Sequence, residues 1–133
     1  MIVLDTHVMV WFAEGKSTLG RRTTRLTDSA LRLDELLVAT ISFWEVAMLC
    51  EKRRLELAMS PTAFRQKVLE QGVQEIPLDG AIAIAAAEIK RFHGDPADRM
   101  IVATALSAEA TLVTADEAIL EWRGELLRHD ARR

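Results

Sequence analysis

Asp95-Pro96-Ala97-Asp98-Arg99-Met100-Ile101-Val102-Ala103-Thr104-Ala105-Leu106, followed at once by Thr111-Leu112-Val113-Thr114-Ala115-Asp116, reads as a helix feeding a short buried strand. Aspartate before proline is a helix start. The carboxylate caps a free N–H, and proline takes the first helical position, where no N–H is needed. The helix is predicted to run to about Ala108 and the strand over Thr111 to Thr114, with Asp116 closing it. A helix returning to a strand in this way is the unit of a parallel α/β sheet.

The same alternation extends outward along the chain. Residues 2 to 5 read as a first strand, and Thr6 to Ala13 as a helix with Val8, Met9, Trp11 and Phe12 at helical spacing. Gly15 and Gly20 bracket a polar loop, and Thr27 to Glu35 is predicted as a surface helix. Leu36 to Ile41 is the second strand; Ser42 then caps a helix running to about Arg53. Ser60-Pro61 starts another helix, ending at Gly72. Val73 to Pro77 is a third strand, Ala81 to Phe92 a helix capped by Asp79, and His93-Gly94 breaks it. Asp116 to Trp122 gives a last short helix, and Leu126-Leu127 a final edge strand. With no repeat or linker, residues 1–133 read as one three-layer α/β/α domain around a mainly parallel sheet.

Composition narrows the function. Half the residues are hydrophobic and 28% charged, which fits a packed globular domain and excludes disorder. No apolar run reaches the roughly 18 residues of a membrane helix. The opening Met-Ile-Val-Leu-Asp has no basic region before its apolar stretch, so it reads as a strand and not as a signal peptide. Cys50 is the single cysteine; no internal disulfide forms, and a cytoplasmic location is expected. The net charge of -3 is not the global signature of a nucleic-acid binder. Basic residues do cluster, at Arg21, Arg22 and Arg25, and at Lys52, Arg53 and Arg54.

Four acids stand at the joints of these elements. Asp5 ends the first strand, Glu45 follows the second, Asp98 opens the helix quoted above, and Asp116 closes the fourth strand. Singly, each has a capping role: Ser42 to Glu45 and Asp95 to Asp98 both fit capping boxes. Together they point further, because a parallel sheet gathers such joints at its carboxyl edge, where ligands bind. Crowded carboxylates push one another's pKa upward unless a cation lies among them. Oxygen donors suit Mg²⁺, and a metal among carboxylates points to phosphodiester hydrolysis. Other chemistries fit worse. His7, His93 and His129 lack zinc spacing, Gly15-Lys16-Ser17 lacks the rest of a phosphate loop, and no serine sits in a nucleophile elbow. His7 reads as a packed or rim residue, and Trp11, Trp44 and Trp122 as core or subunit-contact residues.

Four segments carry a family resemblance: Ile2 to His7, Ile41 to Ala47, His93 to Ala105, and Leu112 to Asp116. In this order the chain resembles the PIN-domain ribonucleases, and among them the VapC toxins of type II toxin–antitoxin pairs. The resemblance implies a PIN-like fold and an endoribonuclease that needs Mg²⁺ or Mn²⁺ and an activated water. It implies metal-binding and catalytic roles for Asp5, Glu45, Asp98 and Asp116. Thr6 and Thr114 match supporting positions, Asp95 a second acid of the same motif, and Arg99 a residue that shapes the motif or meets phosphate. It also implies an RNA substrate, a cognate antitoxin and a homodimer. Phe43, Trp44, Val46 and Leu49, with Lys52 to Arg54, are candidates for a partner surface. His7 stands where many relatives carry asparagine, and Thr18 to Leu26 is unusually rich in Thr and Arg.

Two alternatives belong to other classes. One is another Mg²⁺-dependent α/β phosphohydrolase or a receiver domain. An aspartyl phosphatase wants an acid two residues after Asp5, where His7 stands, and a receiver wants a late lysine, yet none follows Lys90. The other is a non-catalytic PIN-like scaffold, against which the acids at all four joints speak.

Overall fold

A computed structural model describes residues 1–133. Its elements are β1 (Ile2–Leu4), α1 (Thr6–Ala13), α2 (Arg21–Arg32), β2 (Leu36–Ala39), α3 (Thr40–Glu51) and α4 (Pro61–Glu70). Then come β3 (Gln74–Ile76), α5 (Gly80–Glu88), α6 (Pro96–Ser107), β4 (Thr111–Thr114), α7 (Glu117–Glu121) and β5 (Arg128–Asp130). The five strands form one sheet in the order β3-β2-β1-β4-β5, and every neighbouring pair is parallel.

The three inner strands are mainly apolar, the edge strands β3 (Gln-Glu-Ile) and β5 (Arg-His-Asp) mainly polar, and the inner apolar residues divide cleanly between the two faces. Ile2, Leu4, Leu36, Val38 and Val113 join one core with Val8 and Met9 of α1, Val46 of α3, and Phe64 and Val68 of α4. Val3, Leu37, Ala39 and Leu112 join the other, with Ile101, Val102 and Ala105 of α6 and Ile119 of α7. Parallel strands covered on both faces need such continuous apolar runs. β1 is central; the chain crosses from it to β2 and β3 on one side, and then back over to β4 and β5 on the other. The carboxyl ends of β1 and β4 therefore flank the switch point of the sheet, where a crevice opens.

Helix starts follow the local chemistry. Asp5, Ser60, Asp79, Asp95 and Asp116 each accept a backbone N–H at the head of a helix. Gly72, with φ of 103°, supplies the left-handed residue that lets the chain leave α4.

The structure corrects the sequence reading at five places. α2 begins at Arg21, six residues before the predicted Thr27, because Thr23 and Thr27 point inward and fill the apolar stripe with threonine. Thr23 is fully buried, and its hydroxyl donates to the Arg133 carbonyl oxygen at 3.1 Å. α3 starts at Thr40, so Ser42 is not its cap but a buried residue in the first turn. α5 stops at Glu88 instead of Phe92. The last strand is Arg128–Asp130 and not Leu126-Leu127; Leu127 is 67% exposed. Val46 is buried in the core, so of the apolar residues suggested for a partner surface only Trp44, 56% exposed, is fully open, while Lys52, Arg53 and Arg54 are exposed as expected.

Truncating Phe64, the largest fully buried side chain, to alanine is expected to cost about 3–5 kcal/mol. Leu127→Ala is expected to change stability by less than about 0.5 kcal/mol. Urea unfolding midpoints of the two variants check the assignment of core and surface.

Candidate metal centre

Asp5 follows β1 and caps α1. Its Oδ1 accepts the Thr6 N–H at 2.8 Å, and its Oδ2 accepts the Thr114 hydroxyl at 2.5 Å. Thr114 ends β4, and its oxygen in turn accepts the Asp116 N–H at 3.0 Å. One hydroxyl thus fixes the acids that terminate two neighbouring strands. Asp116 caps α7 through Oδ1, 3.1 Å from the Ile119 nitrogen. Asp98 lies in the first turn of α6, held there as its N–H meets the capping Oδ1 of Asp95 at 3.2 Å. Glu45 projects from the second turn of α3. Its helix is anchored against α1 where the Thr6 hydroxyl donates to Ser42 Oγ at 3.1 Å.

All four predicted acids line one cavity of about 390 Å³, together with Asp95, His7, Trp11 and Ala115. Their oxygens do not form a single tight set. Glu45, Asp95 and Asp98 offer oxygens within 4.8 Å of one another, and so do His93, Asp98 and Asp116. Asp98 is common to both groups, while Asp5 sits deeper with both oxygens already hydrogen-bonded. A larger groove, about 980 Å³, runs past Ile89, Leu106 and Trp122, but contains none of these acids.

Burial, and charge crowding after it, show in the proton affinities. Burial raises the Asp5 carboxyl above its usual range against the pull of Thr114 and Thr6, with Asp116 adding repulsion. Glu45 is raised as well, first by burial and then by Asp5 and Asp95. Asp98 is pushed up to about 8 by burial and by the fields of Asp5, Asp95, Asp116 and Glu45. Perturbed carboxylates in a cleft mark a functional site. The donors are five carboxylates and one imidazole, a hard and anionic set with no thiolate. Such a set fits a divalent ion of the Mg²⁺ or Mn²⁺ kind.

The supporting residues divide. Thr6 and Thr114 hold the acids as described. Asp95 both caps α6 and faces the cavity. Arg99 spends all five N–H donors on the carbonyl oxygens of Ala86, Ala87, Ile89, Phe92 and His93. It therefore ties the end of α5 to α6, and no donor remains for phosphate. The capping-box role for Glu45 falls away, because it lies beyond the first turn of α3.

Sequence reasoning passed over His93, whose Nε2 lies 3.2 Å from Asp98 Oδ2. The available signal was its place outside the helix but within one turn's reach of Asp98. Trp11, expected in the core or at a subunit contact, lines the cavity from α1 with the exposed His7, ring centroids 6.5 Å apart.

A parallel α/β sheet with acids gathered at its switch point has the build of an acidic-centre nuclease. The chain belongs to the PIN domain family, whose sequence profile matches residues 2–124. It is similar to Ribonuclease VapC22 of Mycobacterium tuberculosis (strain ATCC 25618 / H37Rv), with 34% identity over 123 residues, 92% of each chain. Its fold resembles DNA-bound VapBC from Salmonella typhimurium, at a TM-score of 0.69 and 18% identity, covering 97% of this chain and 96% of that one. FitAcB from Neisseria gonorrhoeae matches at a TM-score of 0.68 and 20% identity over 98% of both chains. The resemblance carried by the four segments is thereby borne out.

The raised carboxyls set a pH dependence. Asp98 titrates near its ordinary value of 3.8 when unfolded and near 8 when folded. Its contribution to stability is full below about pH 4 and lost as pH rises through 8. Asp130, lowered to about 2 chiefly by hydrogen bonds from Arg132, acts only below about pH 4, outside this window. Metal-free protein is expected to melt at falling temperature from pH 5 to pH 8. Asp98→Asn should flatten that slope and raise the pH 8 melting temperature by several degrees; thermal melts in EDTA check both.

Proposed function

We propose that residues 1–133 form a single PIN domain acting as a metal-dependent endoribonuclease of the VapC toxin type. Asp5, Glu45, Asp98 and Asp116 would hold Mg²⁺ or Mn²⁺, with Asp95 at the rim. The observation that carries this reading is the convergence of five carboxylates on one cavity, with Asp98 pushed up to about 8. Burial first, and then the fields of the neighbouring acids, disfavour an empty charged cluster and favour one that receives a cation.

A bound divalent ion supplies positive charge to phosphate oxygens and lowers the pKa of a water beside it. The chain's own residues set the frame for that chemistry. Thr114 and the Thr6 N–H fix the Asp5 carboxylate so that it does not reorient when the site fills. The Thr114 link holds Asp116 at a constant offset from Asp5. His93 Nε2 lies 3.2 Å from Asp98 Oδ2, beside the carboxylate that faces the cavity. Arg99 fixes the loop that carries His93 and Asp95. Single-stranded or loop RNA is the substrate that suits a shallow cleft, since its backbone is not buried in a duplex.

Relatives supply the context. A solved toxin–antitoxin complex from Klebsiella pneumoniae shares this fold, at a TM-score of 0.60 and 16% identity. A cognate antitoxin is inferred on that basis; a homodimer and a cytoplasmic site of action belong to the same VapC-type reading. No helix of the chain is long and apolar enough to cross a membrane.

Asp5→Asn is expected to abolish Mn²⁺-dependent cleavage of structured RNA, by at least about 100-fold, while leaving the circular dichroism spectrum unchanged. Equal cleavage by both proteins would remove Asp5 from the reaction. Because metal ligands must be deprotonated, loading the site at pH 7 should also release protons from Asp98. Calorimetric titration with Mn²⁺ in two buffers of different ionisation enthalpy reads that release, which Asp98→Asn should remove.

A further inference from the structure

We propose that the cavity between α2 and the edge strand β5 binds a backbone phosphate of the RNA substrate, away from the bond that is cut. The proposal rests on the nuclease reading above and adds how the substrate is held outside the acidic cleft.

The cavity measures about 460 Å³ and is lined by Arg22, Arg25, Leu26, Ser29 and His129. Arg22, Arg25 and Ser29 follow the three- and four-residue spacing that places side chains on one helix face. Neither arginine has an ion-pair or hydrogen-bond partner within the chain, whereas Arg65 and Arg132 are bound to carboxylates. His129 is fixed in place: its Nε2 lies 2.9 Å from the Thr23 hydroxyl, which gives its own proton to the Arg133 carbonyl oxygen. Nε2 is thereby engaged, and Nδ1 has no partner within the chain. α2 as a whole holds four arginines against one aspartate, a surplus of three positive charges in a chain of net charge -3.

Position joins this cavity to the reaction. β5 pairs with β4 so that Asp130 stands opposite Thr114, and Thr114 is bonded to Asp5. Neighbouring strands lie about 4.8 Å apart, so the end of β5 is roughly 10 Å from the end of β1. One RNA strand reaches across that interval. The acidic cleft repels a phosphate chain on either side of the scissile bond, so a cationic hold nearby is required. Proteins that bind single strands meet this need with a positive groove along the backbone. Arginine is suited to it because its planar fork matches two phosphate oxygens. An acidic segment of a protein partner has the same charge and is the competing occupant.

The test is binding of a labelled single-stranded RNA of about 20 nucleotides to metal-free protein in EDTA, followed by fluorescence anisotropy over a salt series. The Arg22→Ala/Arg25→Ala double variant is expected to bind at least about tenfold more weakly. Its salt slope should be shallower by about 1.4, two contacts at about 0.7 each on a single strand. Arg22→Lys/Arg25→Lys should recover most of that slope, which a merely structural role for the arginines would not produce. Unchanged affinity and slope in the alanine variant overturn the proposal, as does failure of the wild-type protein to bind RNA. Loss of partner binding with RNA binding intact also overturns it, and assigns the cavity to an acidic protein segment. Failure of the nuclease reading registers separately, as no Mn²⁺-dependent cleavage by the wild-type protein.

Discussion

The hydrogen bond from Thr114 to Asp5 joins residues 109 apart in sequence, and the centre depends on it. It exists because β1 and β4 are parallel neighbours in register, Leu4 opposite Val113. That register places two strand-terminal acids side by side at the switch point. Two further helices, α3 after β2 and α6 before β4, bring Glu45 and Asp98 to the same opening. The apolar faces of the sheet supply the binding energy that holds these like charges together. Without buried residues such as Leu4, Val38 and Ile101, the carboxylates would separate.

Charge is the theme shared by the two ends of the sheet's carboxyl edge. The cleft concentrates negative charge, and α2 concentrates positive charge beside β5. A uniform surface of net charge -3 would repel nucleic acid; a segregated one attracts the backbone at one place and a cation at another. Arg99 shows that not every arginine near the acids belongs to this pattern. Its guanidinium is used up in holding the α5–α6 connection.

Much of this was legible in the sequence because the decisive signals are local. Asp95-Pro96 and Ser60-Pro61 start helices for reasons contained in two residues, and both helices begin there. The acids at the joints followed from the same caps, since Asp5 and Asp116 occupy helix starts at strand ends. What escaped was set by tertiary packing. Thr23 and Thr27 fill a buried stripe that composition marks as polar, so the sequence pattern places the start of α2 too late. Ser42 looked like a cap but is buried by contact with Thr6, 36 residues away. The β5 strand is polar, Arg-His-Asp, and becomes a strand only by pairing with β4. His93 was discounted for lacking zinc spacing, although it meets Asp98 through a loop folded back by Arg99.

Crystals soaked in Mn²⁺ and measured for anomalous scattering test the central claim most directly. The account predicts a strong anomalous peak inside the cavity bounded by Asp5, Glu45, Asp98 and Asp116, with carboxylate oxygens of these residues as its ligands. An empty cavity alongside well-ordered side chains at saturating Mn²⁺, or a peak bound only elsewhere on the surface, would contradict it.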